Sequence, residues 1–421
     1  MFEIQHRKLS DMEDQGEIEL GRGEVISTID LRASPGEYPV YSSSAVGTGK
    51  FGQYGKYMFD ESLITWSVDG GGRPFLRKKH KFSVTNVSGF LRIKKPDIWN
   101  YEYLHAALVK AHQRIQFDYQ MKAHPSVIKE LYKLRWVPIY EQQKIAQILD
   151  ILDAQIQKTE ALIAKLEKIE NGLLYDLLTR GIDQNGLLRP APEKAPELYK
   201  ESALGLIPKE WEMASLGQVT DSMVDGPFGS NLKTAHYVEE AGVQVVRLQN
   251  IKTGEYDETF TAFITRAHAN QLDKNRVVGG DLLVASLGDE RSKPGRACLY
   301  PTHLPPAINK ADCFRVRAHP SMATNSFLMH SLNFERSTKQ ATSKQQGVTL
   351  QRVNLSNLRT IVIGLPTIAE QRLISNESNA FADKISALEC EKQKLGSTKN
   401  GLMDDLLTGQ VRVTPLVKDA V

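Results

Sequence analysis

The sequence predicts an α+β chain: two globular domains separated by two long antiparallel coiled-coil helices, in a pseudo-twofold internal repeat. Three observations predict it. A pair of motifs is duplicated in one register, an apolar seam of coiled-coil period joins each pair, and short β-rich runs fill the long stretch ahead of each seam.

The duplication anchors the rest. Pro138-Ile-Tyr-Glu141-Gln142-Gln-Lys-Ile145 matches Pro366-Thr-Ile368-Ala-Glu370-Gln371-Arg-Leu-Ile374, with the Glu-Gln pairs at an offset of 229 residues. Asn171-Gly-Leu-Leu-Tyr-Asp176-Leu-Leu-Thr179 matches Asn400-Gly-Leu-Met-Asp-Asp405-Leu-Leu-Thr408 at the same 229. Chance supplies one such match readily, but not two in one register.

Taken in order, residues 1–136 form a first globular domain, with β-rich runs at Tyr38–Tyr41, Leu63–Trp66 and Phe82–Thr85 between Gly and polar turns. Residues 137–182 form the first helix. Ile145, Leu149, Leu152, Ile156, Ile163, Leu166, Leu173 and Leu177 recur in steps of three and four, broken only by Thr159 and Glu170. Residues 183–204, rich in Pro, Glu and Lys, read as a linker. Residues 205–364 form a second globular domain, with runs at Val243–Leu248 and Asp281–Val284 and little resemblance to the first. Residues 365–409 form the second helix, on Ile374, Phe381, Ile385, Leu388, Leu395, Leu402 and Leu406, interrupted by Ser378, Lys392 and Lys399; a tail, 410–421, follows.

Each helix has a start and a stop. Pro138 or Pro366 ends the preceding segment, the Glu falls in the first turn where the helix dipole favours negative charge, and Gly181 or Gly409 follows the last apolar residue. About 38 residues at ~1.5 Å each give a rod of roughly 57 Å, the length of a spacer. The plain alternative is a structural coiled coil and nothing more. Equal length in both copies argues for a further constraint, because a packing helix tolerates drift.

Basic residues gather in both domains. Arg73, Arg77, Lys78, Lys79 and Lys81 follow a triple-glycine turn with Phe75 and Phe82 interleaved; in the second domain Arg291, Lys293 and Arg296 share a Gly/Pro loop, and Lys344, Gln346, Gln351 and Arg352 flank Gly347. Arg and Lys suit phosphates, and Arg and Gln pair bidentately with guanine and adenine edges. Any one run reads equally well as a solvated loop; runs in both domains, each beside a rod, favour DNA. The net charge of +3 decides neither way.

Catalytic signals fail on inspection. Gly47-Thr-Gly49-Lys50 has Ser44 and Phe51 where a phosphate loop needs Gly and Ser/Thr. Leu304-Pro305-Pro306-Ala307 lacks the amide and the aromatic of the amino-methylating element, and Pro96-Asp97 has no downstream Asp/Glu-x-Lys to complete a nuclease set. The ten histidines show no metal spacing. Cys298, Cys313 and Cys390 suit free thiols in a reducing cytoplasm, and no apolar run of about 18 residues offers a membrane span. The expectation is a non-catalytic chain with no cofactor or metal of its own.

These features together resemble the specificity subunit of a type I restriction–modification system, over nearly the whole chain. The most specific parts are the two Pro-x-x-Glu-Gln helix starts, the Leu-Leu-Thr helix ends, and the segment from Thr179-Arg-Gly-Ile-Asp183 through Leu198-Tyr-Lys-Glu-Ser202 to Gly205-Leu-Ile-Pro208-Lys-Glu-Trp211. Asp225-Gly-Pro-Phe-Gly229, Val246-Arg-Leu-Gln-Asn250-Ile and Gly280-Asp281-Leu-Leu-Val284 add to it; the first domain matches more loosely, around Tyr38–Tyr41 and Gly49–Gly52, and Thr367 stands where many relatives have a second Pro. The resemblance implies two target recognition domains, a helix pair acting as a ruler, and one DNA-methyltransferase subunit docked on each half. Pro138, Glu141, Gln142, Pro366, Glu370 and Gln371 are then expected at the helix starts as partner-docking positions. Motor–nuclease subunits join through the methylating core. The resemblance further implies that S-adenosylmethionine would bind the methyltransferase partner, and ATP and Mg²⁺ the motor subunit.

The other class of reading is a coiled-coil scaffold whose heads bind protein. On the DNA reading, two unlike heads address an asymmetric bipartite target, with half-sites about one helical turn, ~34–36 Å, apart. Inserting one helical repeat unit within residues 145–170 is therefore expected to lengthen the unread spacer while both half-sites stay the same. Methylation mapping that returns an unchanged spacer contradicts it.

Overall fold

The computed structural model describes residues 5–43, 47–69, 71–115, 117, 122–239, 242–288, 292–344 and 351–413. The chain is α+β. Its contacts form two compact units, one of Met1–Leu162 with Leu388–Val421 and one of Ile163–Ala387. The division falls inside the long helices, not at their ends where the sequence reading put the domain boundaries. Each unit owns the start of one helix and the end of the other, because the head buries apolar surface against both.

The two helices span Ile139–Thr179 and Ile368–Thr408, 41 residues each. In the first, Ile145, Leu149, Ile163, Leu166 and Leu177 are buried, and so is Thr159, one of the two breaks in the stripe. Two polar breaks in the second stripe are paired: within the first unit Lys399 meets Asp153 at 2.5 Å and Lys392 meets Glu160 at 3.8 Å. Seven residues forward in one helix is seven back in the other, so the helices run antiparallel there. These ion pairs are part-exposed and each contributes little.

In the first unit a six-stranded sheet has the order Ile18–Arg22, Ser88–Ile93, Phe59–Ser67, Pro74–Val84, Tyr38–Tyr41, Lys50–Tyr54, antiparallel except where Tyr38–Tyr41 runs parallel to Pro74–Val84. One face carries Ile64, Trp66, Leu91 and Ile93 into a core with Tyr103, Leu104 and Leu108 of the helix Tyr101–His112, with Ile145 and Leu149 of the first long helix, and with Leu406 and Leu407 of the second. The opposite face holds a smaller cluster of Phe59, Leu63, Phe82, Val84 and Phe90. Glu61 pairs with His80 and Leu63 with Arg77, so Lys78 and Lys79 stand opposite Ser62 alone. That bulge reverses the strand's alternation and places Arg77 on the same face as His80 and Phe82.

In the second unit a four-stranded sheet (Thr220–Val224, Cys313–Ala318, Leu282–Ala285, Ala297–Leu299) and a five-stranded one of short strands share the head. The largest core joins Trp211, Phe314, Val316, Ile361 and Ile363 to Phe327, Leu328 and Leu332 of the helix Asn325–Asn333, and to Leu177, Leu178 and Ile374 of the long helices. Residues 183–204, expected as a linker, are packed here: Tyr199–Lys200 pairs with Ile207–Pro208, Tyr199 donates to Pro190 O at 2.6 Å, and Arg189 and Tyr199 are buried. Composition signals turns but not what a chain folds back onto.

Among the described residues no helix is long and apolar enough to cross a membrane, and no group of three His, Cys, Asp or Glu side chains could hold a metal ion.

Candidate nucleic-acid interface and the helix joints

The same joint is built once in each unit, at the first turn of a long helix. In the first unit Gln142 Nε2 donates to Ile98 O and Val137 O, both at 2.8 Å, and its Oε1 accepts from Asn100 N at 2.9 Å. In the second, Gln371 Nε2 donates to Met322 O at 2.9 Å and Pro366 O at 3.0 Å, and Oε1 accepts from Thr324 N at 3.0 Å. Asn100 and Thr324 are the N-caps of the short helices Tyr101–His112 and Asn325–Asn333. One glutamine thus locks a long helix to a capped head helix.

The neighbouring glutamate closes the joint with different partners. Glu370 accepts from Ile182 N at 2.9 Å, Arg189 Nη1 at 2.5 Å and Nη2 at 3.2 Å, and Trp211 Nε1 at 3.1 Å. Glu141 accepts from Arg412 Nη2 at 2.6 Å and Nε at 3.3 Å. Arg135 Nη1 donates to Leu406 O at 2.7 Å, satisfying a carbonyl in the last turn of the second long helix. The stop glycines permit the close approach. Gly181 has φ +65° and a Cβ there would lie 2.2 Å from Glu370 Oε1, while Gly409 has φ +85° and would meet the Arg135 guanidinium at 2.6 Å.

This corrects one expectation. Glu141, Gln142, Glu370 and Gln371 are 1%, 0%, 7% and 0% exposed and Pro366 is buried, so these side chains face into the fold, while Pro138 is half-buried. They fasten head to helix because a buried carboxylate and amide must satisfy their lone pairs and protons inside the fold. Sequence reading missed Arg189, Arg412 and the two caps, and marked Trp211 as a motif residue without its contact to Glu370. The repeat does continue into the heads: Tyr103, Leu104 and Leu108 correspond to Phe327, Leu328 and Leu332, but at an offset of 224, out of register with the helices.

The basic candidates divide sharply. Arg73, Lys78, Lys79 and Lys81 are exposed. Lys81 lies over the rings of Tyr57 at 4.8 Å and Tyr38 at 5.7 Å, and Arg73 over Phe75 at 5.4 Å. Arg77 is 8% exposed, its guanidinium 3.7 Å from the Tyr41 ring centroid and 4.9 Å from that of Phe75, with Nε donating to Thr65 Oγ1 at 3.0 Å. Burial pushes its pKa down to about 10. No described carboxylate pairs with it. The cations thus lie on aromatic rings on both faces of the sheet, Arg73 and Arg77 on the Phe82 face and Lys81, between His80 and Phe82, on the other.

In the second head, Arg291 and Gln346 lie outside the described residues. Lys293 is exposed. Arg296 is turned inward, donating to Ile251 O and Leu287 O at 2.8 and 2.7 Å and to Leu248 O at 3.3 Å, which removes it as a base reader. Lys344 donates to Thr360 Oγ1 at 2.6 Å and Thr360 O at 3.1 Å. Gln351 and Arg352 lie on a two-residue strand paired with Leu287–Gly288, and Arg352 Nη2 meets Asp312 Oδ1 at 2.6 Å.

The comparisons agree with this architecture. A family model described as the type I restriction modification DNA specificity domain matches residues 4–168. A type I restriction enzyme specificity subunit of Methanocaldococcus jannaschii is 24% identical over 360 residues, covering 85% of this chain and 80% of the relative. A Mycoplasma pneumoniae chain described as the N-terminus of a type I specificity subunit is 31% identical over 152 residues, 35% of this chain and 78% of the relative. Among solved structures, a type I restriction–modification S subunit from M. genitalium superposes with TM-score 0.60 at 16% identity, covering 96% of both chains. A chain from a study of type I system assembly gives 0.51 at 13%, covering 97% of this chain and 99% of that one. This chain belongs to the type I restriction–modification specificity subunits.

The joints predict a stability effect. Gln142→Leu leaves one buried amide and two carbonyls without partners and is expected to lower unfolding free energy by roughly 2–5 kcal/mol. Gln371→Leu should do the same, and hydrogen exchange should quicken at Asn100 in the first variant but at Thr324 in the second. Denaturant midpoints within error of wild type for both variants contradict this.

Proposed function

We propose that this chain is the non-catalytic reader of an asymmetric bipartite DNA target, each head addressing one half-site and the long helices carrying two methyltransferase subunits. The observation that carries the reading is the contrast between frame and heads. The helices and their glutamine joints repeat closely, while the heads have different sheets: one of six strands, against one of four and one of five. A repeated frame suits two copies of one partner. Unlike heads suit two different half-sites.

The chemistry then belongs to the partners: S-adenosylmethionine on the methyltransferase, ATP and Mg²⁺ on motor–nuclease subunits joined through the methylating core. The second reading is a scaffold whose heads bind protein. It is separated by salt, since DNA affinity falls by roughly 0.9 in log–log slope for each phosphate neutralised, whereas the scaffold reading predicts little salt sensitivity.

The deciding experiment co-expresses the chain with its cognate methyltransferase and maps adenine methylation by long-read sequencing. A two-part motif that disappears when this chain is omitted is the expected result. A stable complex that marks no motif, with binding insensitive to salt, favours the scaffold.

A further inference from the structure

In the second head Arg352 is part-exposed and held both by a carboxylate and against an exposed ring. Its side chain is 41% exposed, Nη2 is fixed to Asp312, and the guanidinium lies 5.4 Å from the ring centroid of Phe228, itself an exposed aromatic. Nε is buried and has no hydrogen-bond partner, so the inner edge of the group is sealed against the fold. The outer edge, at Nη1, has no described protein partner.

The support beneath it is unusually determined. Asp312 is the one described non-glycine residue with positive φ, +69°, a conformation an aspartate adopts at some strain. It is kept there from three directions: its N–H reaches Asp225 Oδ1 at 3.3 Å, its Oδ1 accepts from Ser286 Oγ at 3.0 Å, and its O accepts from Ser286 N at 2.9 Å. Ser286 is fully buried, and Ser286 O accepts from Val353 N at 2.9 Å, tying the strand that bears Arg352 to the same point. Gly226 belongs to this assembly because a Cβ there would lie 1.9 Å from Lys310 C. That contact brings the Asp225–Gly229 loop, and so Phe228, against the turn carrying Asp312.

An exposed arginine loses about 2 kcal/mol of rotamer freedom when it is ordered on a ligand, which blunts its discrimination. One already held by a carboxylate and a ring presents a planar fork at little further loss. Such a fork matches the O6 and N7 acceptors of guanine in the major groove, and no other base offers two acceptors there in that geometry. We infer that Arg352 reads a guanine in the half-site addressed by the second head, with Asp312 and Phe228 as its positioning residues. This rests on the DNA-specificity reading above.

The test maps methylation by the complex carrying wild type, Arg352→Gln, Arg352→Lys or Asp312→Asn. Lysine keeps the charge and asparagine tolerates positive φ, so these two decide if the glutamine variant does not accumulate. Wild type should mark a motif with a fixed guanine in one half-site. Both Arg352 variants should accept other bases at that position, with discrimination down roughly ten- to hundredfold, while the other half-site and the spacer stay the same. Asp312→Asn should relax the same position less, without changing the salt slope of binding. An unaltered motif in both Arg352 variants overturns the inference. So does a uniform fall at every target, which marks a phosphate or structural role. A wild-type complex that marks no motif fails the DNA reading itself, and the two failures are thereby told apart.

Discussion

Everything in this fold hangs on how a long helix is fastened to a head. A helix leaves its first four N–H groups unpaired, and a head that docks there must satisfy its own backbone as well. Here a single glutamine satisfies the head's side, bridging two carbonyls and the N–H of a capping residue, while the Glu141 and Gln142 N–H groups of the helix turn back to Pro138 O. The adjacent glutamate adds the chain just beyond the other long helix, Ile182 in one joint and Arg412 in the other. Because amide and carboxylate are buried, neither tolerates a misplaced partner, and the hydrogen-bond geometry constrains the angle between helix and head.

The fastening explains why the heads are free to differ. Each head needs to present only a capped helix, a pair of carbonyls and an apolar face to its long helix. The remainder of the first head is one twisted sheet with Arg73, Arg77 and Lys81 lying over aromatic rings, and that of the second is two smaller sheets braced by buried polar side chains. Asn275 and Asn309 illustrate the bracing: both are fully buried, and their amides donate to Asp225 O and to Cys313 O. A reading surface can change without disturbing the frame, which is what sequence specificity asks of a subunit.

The frame was legible in the sequence and the surfaces were not. Periodicity and the 229-residue offset located both long helices, since a buried stripe leaves its mark every three to four residues. Glu141, Gln142, Glu370 and Gln371 stood out as motif residues, but a motif does not show which way a side chain points, and they face inward. Arg296 and Lys344 resembled Lys81 and Arg352 in composition and turned out to be occupied by backbone carbonyls and by Thr360. Asp312 left no trace in the sequence, because its role depends on a backbone conformation. The continuation of the repeat into the heads was hidden by its change of offset.

The most direct test of the central claim is a transplant across the joints. Residues 205–364 would be exchanged for the corresponding segment of another family member, keeping Glu370, Gln371 and the cap at Thr324, and the methylated motif of the resulting complex would be read genome-wide. The account predicts that one half-site changes to that of the donor while the other half-site and the spacer are retained. A motif that changes in both halves, or in neither, contradicts it.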